Sequence, residues 1–500
     1  MEQHQWGRQI LKRFTQDAGD AAITATMSGK KGVLTVDFHP PELDITTGQK
    51  PSEACAVVGY IGNNAYTNII FALRALQHRG QESSGIATFD GKIHIKKGMG
   101  FVSEVFRDEF LEGRIGIGHN RYSTAGSKGV ENAGPFVISS SMGYIGISHN
   151  GEVTNAHDLR EKLKEKGYIF YSSSDTEVML TEIVSEINKY GIRDGIKKAM
   201  LKIKGAYALA ILINDTLYAL RDPFGFRPLI LGKNNDGYIV ASESAAIDTV
   251  SGKVIRDVKP GELIEIRETG YRSIFTIEHE KSHCMFEYVY FARPDSIIDG
   301  KEVFDVRYNI GVRLATENPV NADVVVPVPD SGRSQALGYS VYSKIPYSEG
   351  LIKNRYSDRT FILPDQESRY NAIKIKLNTI KSVINGKRVV LVDDSIVRGN
   401  TMRHIIGILR KDGATEVHVR VGSPPIIAPC YFGVDMKTRD DFIANNSSIE
   451  DIRKEIGADS LAYISIEGLK ESIGMNELCL GCLTGTYPDE IPEGAKPNYT

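Results

Sequence analysis

The sequence has little cysteine, a single tryptophan and almost no net charge. Its 500 residues include five cysteines, and 60 basic residues nearly balance 63 acidic ones. Five scattered cysteines exclude a disulfide-built scaffold of the kind found in small secreted domains. A net charge of −3 gives no electrostatic footprint for nucleic acid or for an anionic membrane.

Long apolar runs and internal repeats are also absent. No segment approaches the roughly 20 apolar residues that a membrane helix needs, so no membrane partner is expected. A chain of 500 residues exceeds what one core usually serves, which predicts two or three domains. Residues 1–54 lack a signal-peptide core and carry several acids, among them Glu2 and Asp17. Because a transit peptide is poor in acids, we expect a cytoplasmic protein.

The stretch VVLVDDSIVRGNT at 389–401 predicts a phosphate and sugar site. Its four apolar residues are typical of a strand buried on both faces, and apolar residues recur at helical spacing beyond Thr401. A loop that enters a helix N-terminus favours an anion. Asp393 and Asp394 suit sugar hydroxyls, directly or through Mg²⁺ and water. The alternative is an ordinary strand end with an N-capping loop.

This stretch resembles the phosphoribosyl-diphosphate (PRPP) loop of type I phosphoribosyltransferases. The resemblance implies that Asp393 and Asp394 lie by the ribose hydroxyls and Mg²⁺. It implies that the following loop holds the 5-phosphate, through Ser395, Val397, Arg398, Gly399, Asn400 and Thr401.

A second strand and loop, ADVVVPVPDSGRSQA at 322–336, repeats the theme. By the same resemblance, Asp330, Ser331 and Gly332 hold the diphosphate, and Ser331 also lies at the metal. The basic, aromatic segment 350–369, with Lys353 and Tyr356, resembles the lid that closes over PRPP. Such a lid keeps water from an activated donor. The alternative is a solvated surface loop.

The N-terminal half contains several loops in which hydrogen-bonding side chains stand beside glycine. Loops of this kind at strand ends are where binding residues concentrate. They are ACAVVGYIG at 54–62, LRALQHRGQESSGIA at 73–87, GIGHNRYSTAG at 116–126, SHNGEVTN at 148–155 and SSSDTE at 172–177. In this order, over about 230 residues, they resemble the N-terminal-nucleophile (Ntn) glutamine amidotransferase domain.

That resemblance implies a nucleophile at Cys55, exposed by removal of the leader. The freed α-amino group would be the general base, because no separate histidine is positioned for that role. Asn150 and the N–H group of Gly151 would form the oxyanion hole. The alternative for Cys55 alone is a small buried hydrophobic residue.

The resemblance also implies the residues that bind glutamine. Arg121 would hold the α-carboxylate, for which a planar bidentate donor is suited. Asp175 would hold the α-ammonium group, and Arg79 and Thr124 would line the pocket. Alternatively, Asp175 is an N-cap for a helix that starts near Thr176.

Four of the five cysteines form a candidate metal-ligand set. Cys479 and Cys482 form Cys-x-x-Cys, and Cys284 and Cys430 complete the set of four. Four thiolates suit either a [4Fe–4S] cluster or tetrahedral zinc, and spacing favours neither.

Residues 55 to about 490 together resemble the family of glutamine PRPP amidotransferases. We expect a leader at 1–54, an α+β Ntn glutaminase domain with an αββα sandwich at 55–283, and an α/β type I phosphoribosyltransferase domain with a mostly parallel sheet and a metal-binding tail at 284–500. The family passes ammonia from glutamine to C1 of PRPP in the first step of purine synthesis. The resemblance implies Mg²⁺, purine nucleotides as feedback inhibitors, and a homo-oligomer, either dimer or tetramer. Cys284, Cys430, Cys479 and Cys482 match the iron–sulfur ligands of one branch of the family, which implies a [4Fe–4S] cluster.

The sequence departs from this family at two points. Ala56 replaces the usual glycine after the nucleophile, and the leader is long. A retained leader would leave Cys55 without its free amine. Two alternatives therefore stay open: an ammonia-dependent phosphoribosyltransferase with a blocked glutaminase half, and a non-catalytic regulatory protein stabilised by metal.

Overall fold

The computed structural model describes residues 55–122, 129–354, 377–436, 442–445 and 447–491, and the backbone of strands β1 (Ile23–Ser28) and β2 (Val33–Phe38). Strands β1 and β2 form an antiparallel pair. They belong to a unit made of Met1–Gly48 and Asn354–Lys376. A second unit comprises Gln49–Lys353 and Leu377–Thr500, and it contains both halves discussed above.

The N-terminal half of the second unit contains two mainly antiparallel sheets. The seven-stranded sheet has the order β13 (Lys253–Asp257), β11 (Ile230–Lys233), β12 (Gly237–Ala241), β3 (Ala56–Gly62), β6 (Ile115–Arg121), β4 (Ser83–Phe89) and β5 (Ile93–Met99). The six-stranded sheet has the order β15 (Gly270–Thr276), β14 (Glu262–Arg267), β10 (Thr216–Arg221), β9 (Gly205–Ile213), β8 (Gly143–Val153) and β7 (Phe136–Ser140).

Helices cover the outer face of each sheet. Helices α1 (Ala65–Ala75), α2 (Val102–Val105) and α5 (Ser244–Thr249) accompany the first sheet, and α3 (Ala156–Glu165) and α4 (Asp175–Lys202, kinked at Gly191) accompany the second. Strand β9 shows why the layers form, because its side chains alternate between two cores. Ala208, Ala210 and Leu212 pack between the sheets, whereas Leu209 and Ile211 pack against the helices. The predicted αββα sandwich is confirmed.

The C-terminal half is built on four parallel strands. Their order is β19 (Val324–Pro327), β22 (Arg388–Asp393), β23 (Glu416–Val421) and β24 (Ser460–Tyr463). One face packs against α6 (Val303–Glu317), α7 (Arg333–Ser343) and α11 (Ile466–Ile473), and the other against α8 (Lys381–Ile384), α9 (Asn400–Lys411) and α10 (Ile449–Ile456). The predicted parallel sheet is confirmed. The buried strand and the following helix predicted at 389–409 are also confirmed. Val389–Val392 are buried on both faces, and α9 buries its apolar stripe.

Short elements join the two halves. Strand β16 (His283–Cys284) pairs in parallel with β25 (Leu478–Cys479), close to the C-terminal end of the described chain. A π-helix at Glu287–Phe291 follows β16. The remaining elements are the 3₁₀ turn Val130–Asn132, strands β17 (Ile297–Ile298), β18 (Lys301–Glu302), β20 (Leu351–Lys353) and β21 (Leu377–Thr379), and helix α12 (Gly481–Thr484). Among the described residues, the helices include none with the length and apolar character to cross a bilayer.

Two candidate active sites and a cluster of thiols

The first site is a small pocket in front of Cys55, which precedes strand β3. It is lined by Cys55, His119, Arg121, Tyr122, Asn132, Phe136, His149, Gly151, Ser174, Asp175 and Thr176. The Cys55 thiol is buried and donates to the carbonyl oxygen of Tyr122 at 3.7 Å. Burial raises the pKa of this thiol, although the Tyr122 carbonyl and Arg121 oppose the shift. The thiol therefore needs a base to become a nucleophile.

Strand β8 carries Asn150 and Gly151; Gly151 lines the pocket, and Asn150 precedes it in the chain without being part of the lining. The Asn150 side chain is fully buried, and neither its amide oxygen nor its amide nitrogen has a partner in the described part of the chain. Leaving a buried polar group unpaired costs about 1–3 kcal/mol of folding free energy. A ligand that pairs with this group recovers that amount as binding free energy. Gly151 has a φ of +150°, and a Cβ there would meet the Ala206 carbonyl oxygen at 1.9 Å. Only glycine fits that position.

Arg121 and Asp175 both line the pocket and carry opposite charges. Arg121 ends strand β6 and donates from Nη1 to Glu82 at 3.2 Å. Asp175 is the first residue of α4 and accepts the N–H of Val153 at 3.0 Å. The cap of α4 is Ser174, whose hydroxyl accepts the N–H of Thr176 at 3.2 Å. The alternative interpretation of Asp175 as the N-cap is therefore wrong.

Arg79 lies beside Cys55 but does not line the pocket. Its Nε donates to the main-chain carbonyl of Cys55 at 3.2 Å. Its other nitrogens donate to Glu243 at 2.8 Å and to both carboxylate oxygens of Glu287, at 2.9 and 2.7 Å. The structure thus places Arg79 against the main chain of the candidate nucleophile instead of against the space for a ligand. Thr124 lies outside the described residues.

Two histidines line the pocket that sequence analysis did not identify. His119 donates from Nε2 to the carbonyl of His149 at 2.9 Å, and burial lowers the pKa of His119 to about 3, so this ring is neutral. His149 donates from Nε2 to the carbonyl of Ala206 at 3.2 Å, and its Nδ1 lies 3.1 Å from the Thr176 hydroxyl. The repeated His-Asn pair in GHNR and SHNG was the available signal. The hydrogen bond of the Cys55 thiol goes to the Tyr122 carbonyl and not to either histidine ring.

The second site lies where strands β19 and β22 end side by side. The N–H of Val328 donates to the carbonyl of Val392 at 2.8 Å. A Cβ on Gly332 would come within 2.4 Å of that same carbonyl oxygen, so glycine lets the two loops touch. Asp393 and Asp394 are buried there, and the N–H of Asp394 donates to Asp393 at 2.9 Å. The Ser395 hydroxyl donates to Asp394 at 2.7 Å.

The loop beyond Ser395 delivers the chain into α9. Gly399 has a φ of +75° and caps this 12-residue helix, whose N-terminus favours an anion. The Thr401 hydroxyl is buried and lacks a partner among the described residues. Val397 is buried, and its carbonyl accepts the N–H of Ile443 at 2.9 Å, which anchors the loop. Arg398 is half-buried and Asn400 is exposed.

The other candidate PRPP residues flank this loop. Asp330, which precedes Ser331, pairs with Arg333 at 2.7 Å and with Lys353 at 3.6 Å, and all three side chains are partly exposed. Tyr356 and the rest of the predicted lid at 355–369 lie outside the described residues.

The four candidate ligand cysteines converge at the junction of the halves. Cys284 and Cys479 are paired residues on strands β16 and β25. All four are free thiols. Burial raises the pKa of each, and the charge that Cys284, Cys430 and Cys479 would carry raises the pKa of Cys482 further. This mutual influence requires the four sulfurs to be neighbours.

A buried cation lies beside these sulfurs. Arg227 lowers the pKa of Cys284, Cys430 and Cys479 against the effect of burial. Four neighbouring thiols beside such a cation suit a metal centre bound through thiolates, either a [4Fe–4S] cluster or tetrahedral zinc.

Comparison with known proteins identifies two domains in this chain. The family model for a glutamine amidotransferase domain matches residues 119–249, and that for a phosphoribosyl transferase domain matches 302–421. The amidophosphoribosyltransferase of Methanocaldococcus jannaschii is 50% identical over 461 residues, covering 87% of this chain and 98% of that protein. The chain belongs to the amidophosphoribosyltransferase family. The Bacillus subtilis member is 46% identical over 453 residues, covering 88% of this chain and 95% of that protein.

Solved structures of the family share the fold. The glutamine PRPP amidotransferase of B. subtilis, complexed with ADP and GMP, aligns with a TM-score of 0.83 and 44% identity, covering 88% of this chain and 99% of that one. A structure described as the allosteric regulatory enzyme of purine biosynthesis aligns with a TM-score of 0.84 and 44% identity, covering 88% and 97%.

Proposed function

We propose that the chain is a glutamine-dependent amidophosphoribosyltransferase. It hydrolyses glutamine at Cys55 and passes ammonia to C1 of PRPP, giving glutamate, 5-phosphoribosylamine and diphosphate in the first step of purine synthesis. The observation that carries the proposal is one folded unit that holds both the Cys55 pocket and the Asp393–Asp394 strand end. Membership of the family supports it.

At the first site, removal of residues 1–54 would free the α-amino group of Cys55. That amine takes the thiol proton, and the sulfur attacks the side-chain amide carbon of glutamine. The negative oxygen that forms is held by the Asn150 amide and the N–H of Gly151, and one such donor is commonly worth about 10²–10³ in rate. Arg121 and Asp175 hold the α-carboxylate and the α-ammonium group. The amine returns its proton to the leaving nitrogen, and water then releases glutamate.

At the second site, the helix α9 N-terminus and the Thr401 hydroxyl suit the 5-phosphate, together with Ser395, Val397, Arg398, Gly399 and Asn400 along the loop. Asp393 and Asp394 would bind the ribose hydroxyls and, with Ser331, would hold Mg²⁺. Asp330, Gly332 and Lys353 lie on the diphosphate side, and Tyr356 belongs to the lid. Bound Mg²⁺ supplies charge neutralisation for the departing diphosphate. The residues present fit this ion, because carboxylate and hydroxyl oxygens are its usual ligands.

The thiol cluster would hold a [4Fe–4S] group through Cys284, Cys430, Cys479 and Cys482. The support is the convergence of four buried thiols beside the buried Arg227, together with the resemblance of all four positions to the iron–sulfur branch of the family. Neither proposed reaction needs electron transfer, so the group would act as a structural tie between β16 and the C-terminal tail.

By extension from the family, we also propose feedback inhibition, an oligomeric state and a cellular location. Purine nucleotides as feedback inhibitors are supported by the ADP and GMP complex of the B. subtilis relative. A homo-oligomer and a cytoplasmic location remain proposals, the latter supported by the acids of the leader and its lack of a signal-peptide core.

The test compares two nitrogen sources in one preparation. We expect Cys55→Ala to abolish glutamine-dependent synthesis of 5-phosphoribosylamine and to leave ammonia-dependent synthesis intact. N-terminal sequencing of active enzyme should begin at Cys55. Full glutamine activity with Met1 retained would remove the proposed base, whereas a retained leader with only ammonia activity would favour the blocked alternative. Absence of PRPP-dependent diphosphate release would favour the regulatory alternative.

A further inference from the structure

Glu287 lies at the centre of a buried network of charges next to the Cys55 pocket. It opens the π-helix that follows strand β16, so it comes from the junction and not from the glutaminase sheets. Its side chain is completely buried, as are those of Arg79, Arg227 and Glu243. Two positive and two negative side chains thus face one another, shielded from solvent.

One arm of the network reaches the nucleophile. Both oxygens of Glu287 accept hydrogen bonds from Arg79, at 2.9 and 2.7 Å. The remaining nitrogen of this guanidinium, Nε, donates to the main-chain carbonyl of Cys55 at 3.2 Å. Since a guanidinium is planar and its donors have fixed directions, Glu287 and Glu243 together orient the arginine that binds the Cys55 main chain.

The other arm reaches the far side of the pocket. Glu287 accepts from Nη1 of Arg227 at 3.1 Å. Arg227 donates from Nε and Nη2 to the carbonyl of Phe432, at 3.2 and 2.8 Å. The next residue, Gly433, packs on Gly151, where a Cβ would lie 2.9 Å from the Gly151 carbonyl carbon. The same carboxylate therefore supports both the nucleophile and the glycine that offers its N–H group.

Stability alone does not account for this arrangement. Burying four charges costs desolvation that their attraction only partly recovers, and well-packed apolar residues often do as well. We propose that Glu287 is a positioning residue of the glutaminase site, which holds the Cys55 main chain and the Gly151 N–H group at a fixed separation through Arg79 and Arg227. This inference rests on the proposed function, since it assigns a role within glutamine hydrolysis.

The test uses Glu287→Asp, which keeps the charge but shortens the reach, and Glu287→Gln, which keeps the length but removes the charge. The control is Glu265→Gln. Glu265 is also a largely buried glutamate held by two arginines, Arg267 and Arg272, both at 3.1 Å, but it lies on β14 and does not line the pocket. Glutamine-dependent and ammonia-dependent synthesis are both measured in purified enzyme whose N-terminal sequence begins at Cys55, with kcat and KM determined separately.

We expect both Glu287 variants to lose about 10–100-fold in glutamine-dependent kcat, because displacements of about 1 Å have that effect. The KM for glutamine should change less than about twofold, since Arg121 and Asp175 are untouched, and ammonia-dependent synthesis should match wild type. Glu265→Gln should match wild type in every measurement. If Glu287→Gln does not fold, Glu287→Asp alone decides.

Two results would overturn the inference while leaving the proposed function intact. One is wild-type glutamine kcat in a folded Glu287→Asp enzyme. The other is a parallel loss of glutamine and ammonia activity, which would make Glu287 a general structural residue. A wild-type protein that makes no 5-phosphoribosylamine from either nitrogen source would instead overturn the proposed function.

Discussion

Gly433 packs directly on Gly151. A Cβ on Gly433 would lie 2.9 Å from the carbonyl carbon of Gly151 and 3.1 Å from its Cα. Gly433 follows Cys430 in the C-terminal half, whereas Gly151 belongs to strand β8 of the glutaminase sandwich. A segment from the other half of the enzyme therefore packs against the proposed oxyanion hole.

Gly433→Ala should lower glutamine-dependent synthesis by about 10²-fold, the scale of a lost oxyanion donor, because the new methyl group displaces Gly151. Ammonia-dependent synthesis should be unchanged. Gly386→Ala is the matched control, since Gly386 also has a positive φ, +70°, but has nothing within 4 Å of a Cβ. Equal losses in the two variants would mean that backbone strain, and not contact with Gly151, is responsible.

Arg121→Ala and Asp175→Ala should raise the KM for glutamine by about 10–100-fold, the equivalent of about 1.5–3 kcal/mol for a hydrogen bond to a charged group. Ammonia use should be spared. Ser448→Ala is the control for the loss of a helix cap, because Ser448 caps α10 and does not line this pocket. It should lower the free energy of unfolding by about 1 kcal/mol and leave the KM alone. An unchanged KM in Asp175→Ala would reject its contact with the α-ammonium group.

Asp393→Asn and Asp394→Asn should each cripple synthesis from both glutamine and ammonia, because both reactions need PRPP. Asp323→Asn provides the comparison. Asp323 precedes β19, at the opposite end of the same strands, and pairs with Arg388 at 2.9 Å. The Asp323→Asn variant should retain both glutamine-dependent and ammonia-dependent synthesis. Selective loss of the glutamine reaction in either Asp393→Asn or Asp394→Asn would refute the assignment of the ribose site.

His119 should make the protein sensitive to acid. Burial lowers its pKa from 6.5 to about 3. Between these values the unfolded chain binds a proton that the folded protein does not, so stability is full above about pH 6.5 and falls as pH falls. The contribution of His119 to the free energy of unfolding should fall by up to about 1.4 kcal/mol per pH unit as the pH falls. Urea unfolding between pH 7 and 5 should show a shallower loss in His119→Gln than in wild type. Replacing the exposed His157 by Gln should leave the slope unchanged.

Protein purified without oxygen should be brown and should contain about four iron and four sulfide per chain. Air should bleach it and lower its stability as the group decays. Cys482→Ser should prevent iron loading, whereas Cys55→Ser should load normally, because Cys55 lies in the separate glutaminase pocket. Colourless, fully active protein with about one zinc per chain would replace the proposed cluster and keep the four ligands.

Local patterns in the sequence were sufficient for the elements that carry the PRPP loop. The apolar run at 389–392 and the helical stripe of α9 follow from periodicity alone, and both were confirmed. The position of Arg79 could not be read in this way, because its partner Glu287 is 208 residues away. Many acidic residues lie far from Arg79 in the sequence, and only the folded chain shows which of them contacts it. His119 and His149 were missed because an isolated histidine in a strand has no periodic signature, and only the fold brings both to one pocket.

The pairing of β16 with β25 also fixes an order of events during synthesis. Strand β16 at His283–Cys284 emerges long before its partner Leu478–Cys479. At about 5–20 residues per second, a ribosome takes roughly 10–40 s to cover that interval. The nascent protein therefore carries a half-built junction for this time, and a message truncated upstream of residue 478 yields a chain that never closes it. Completion of the junction thus distinguishes finished polypeptides from prematurely terminated ones.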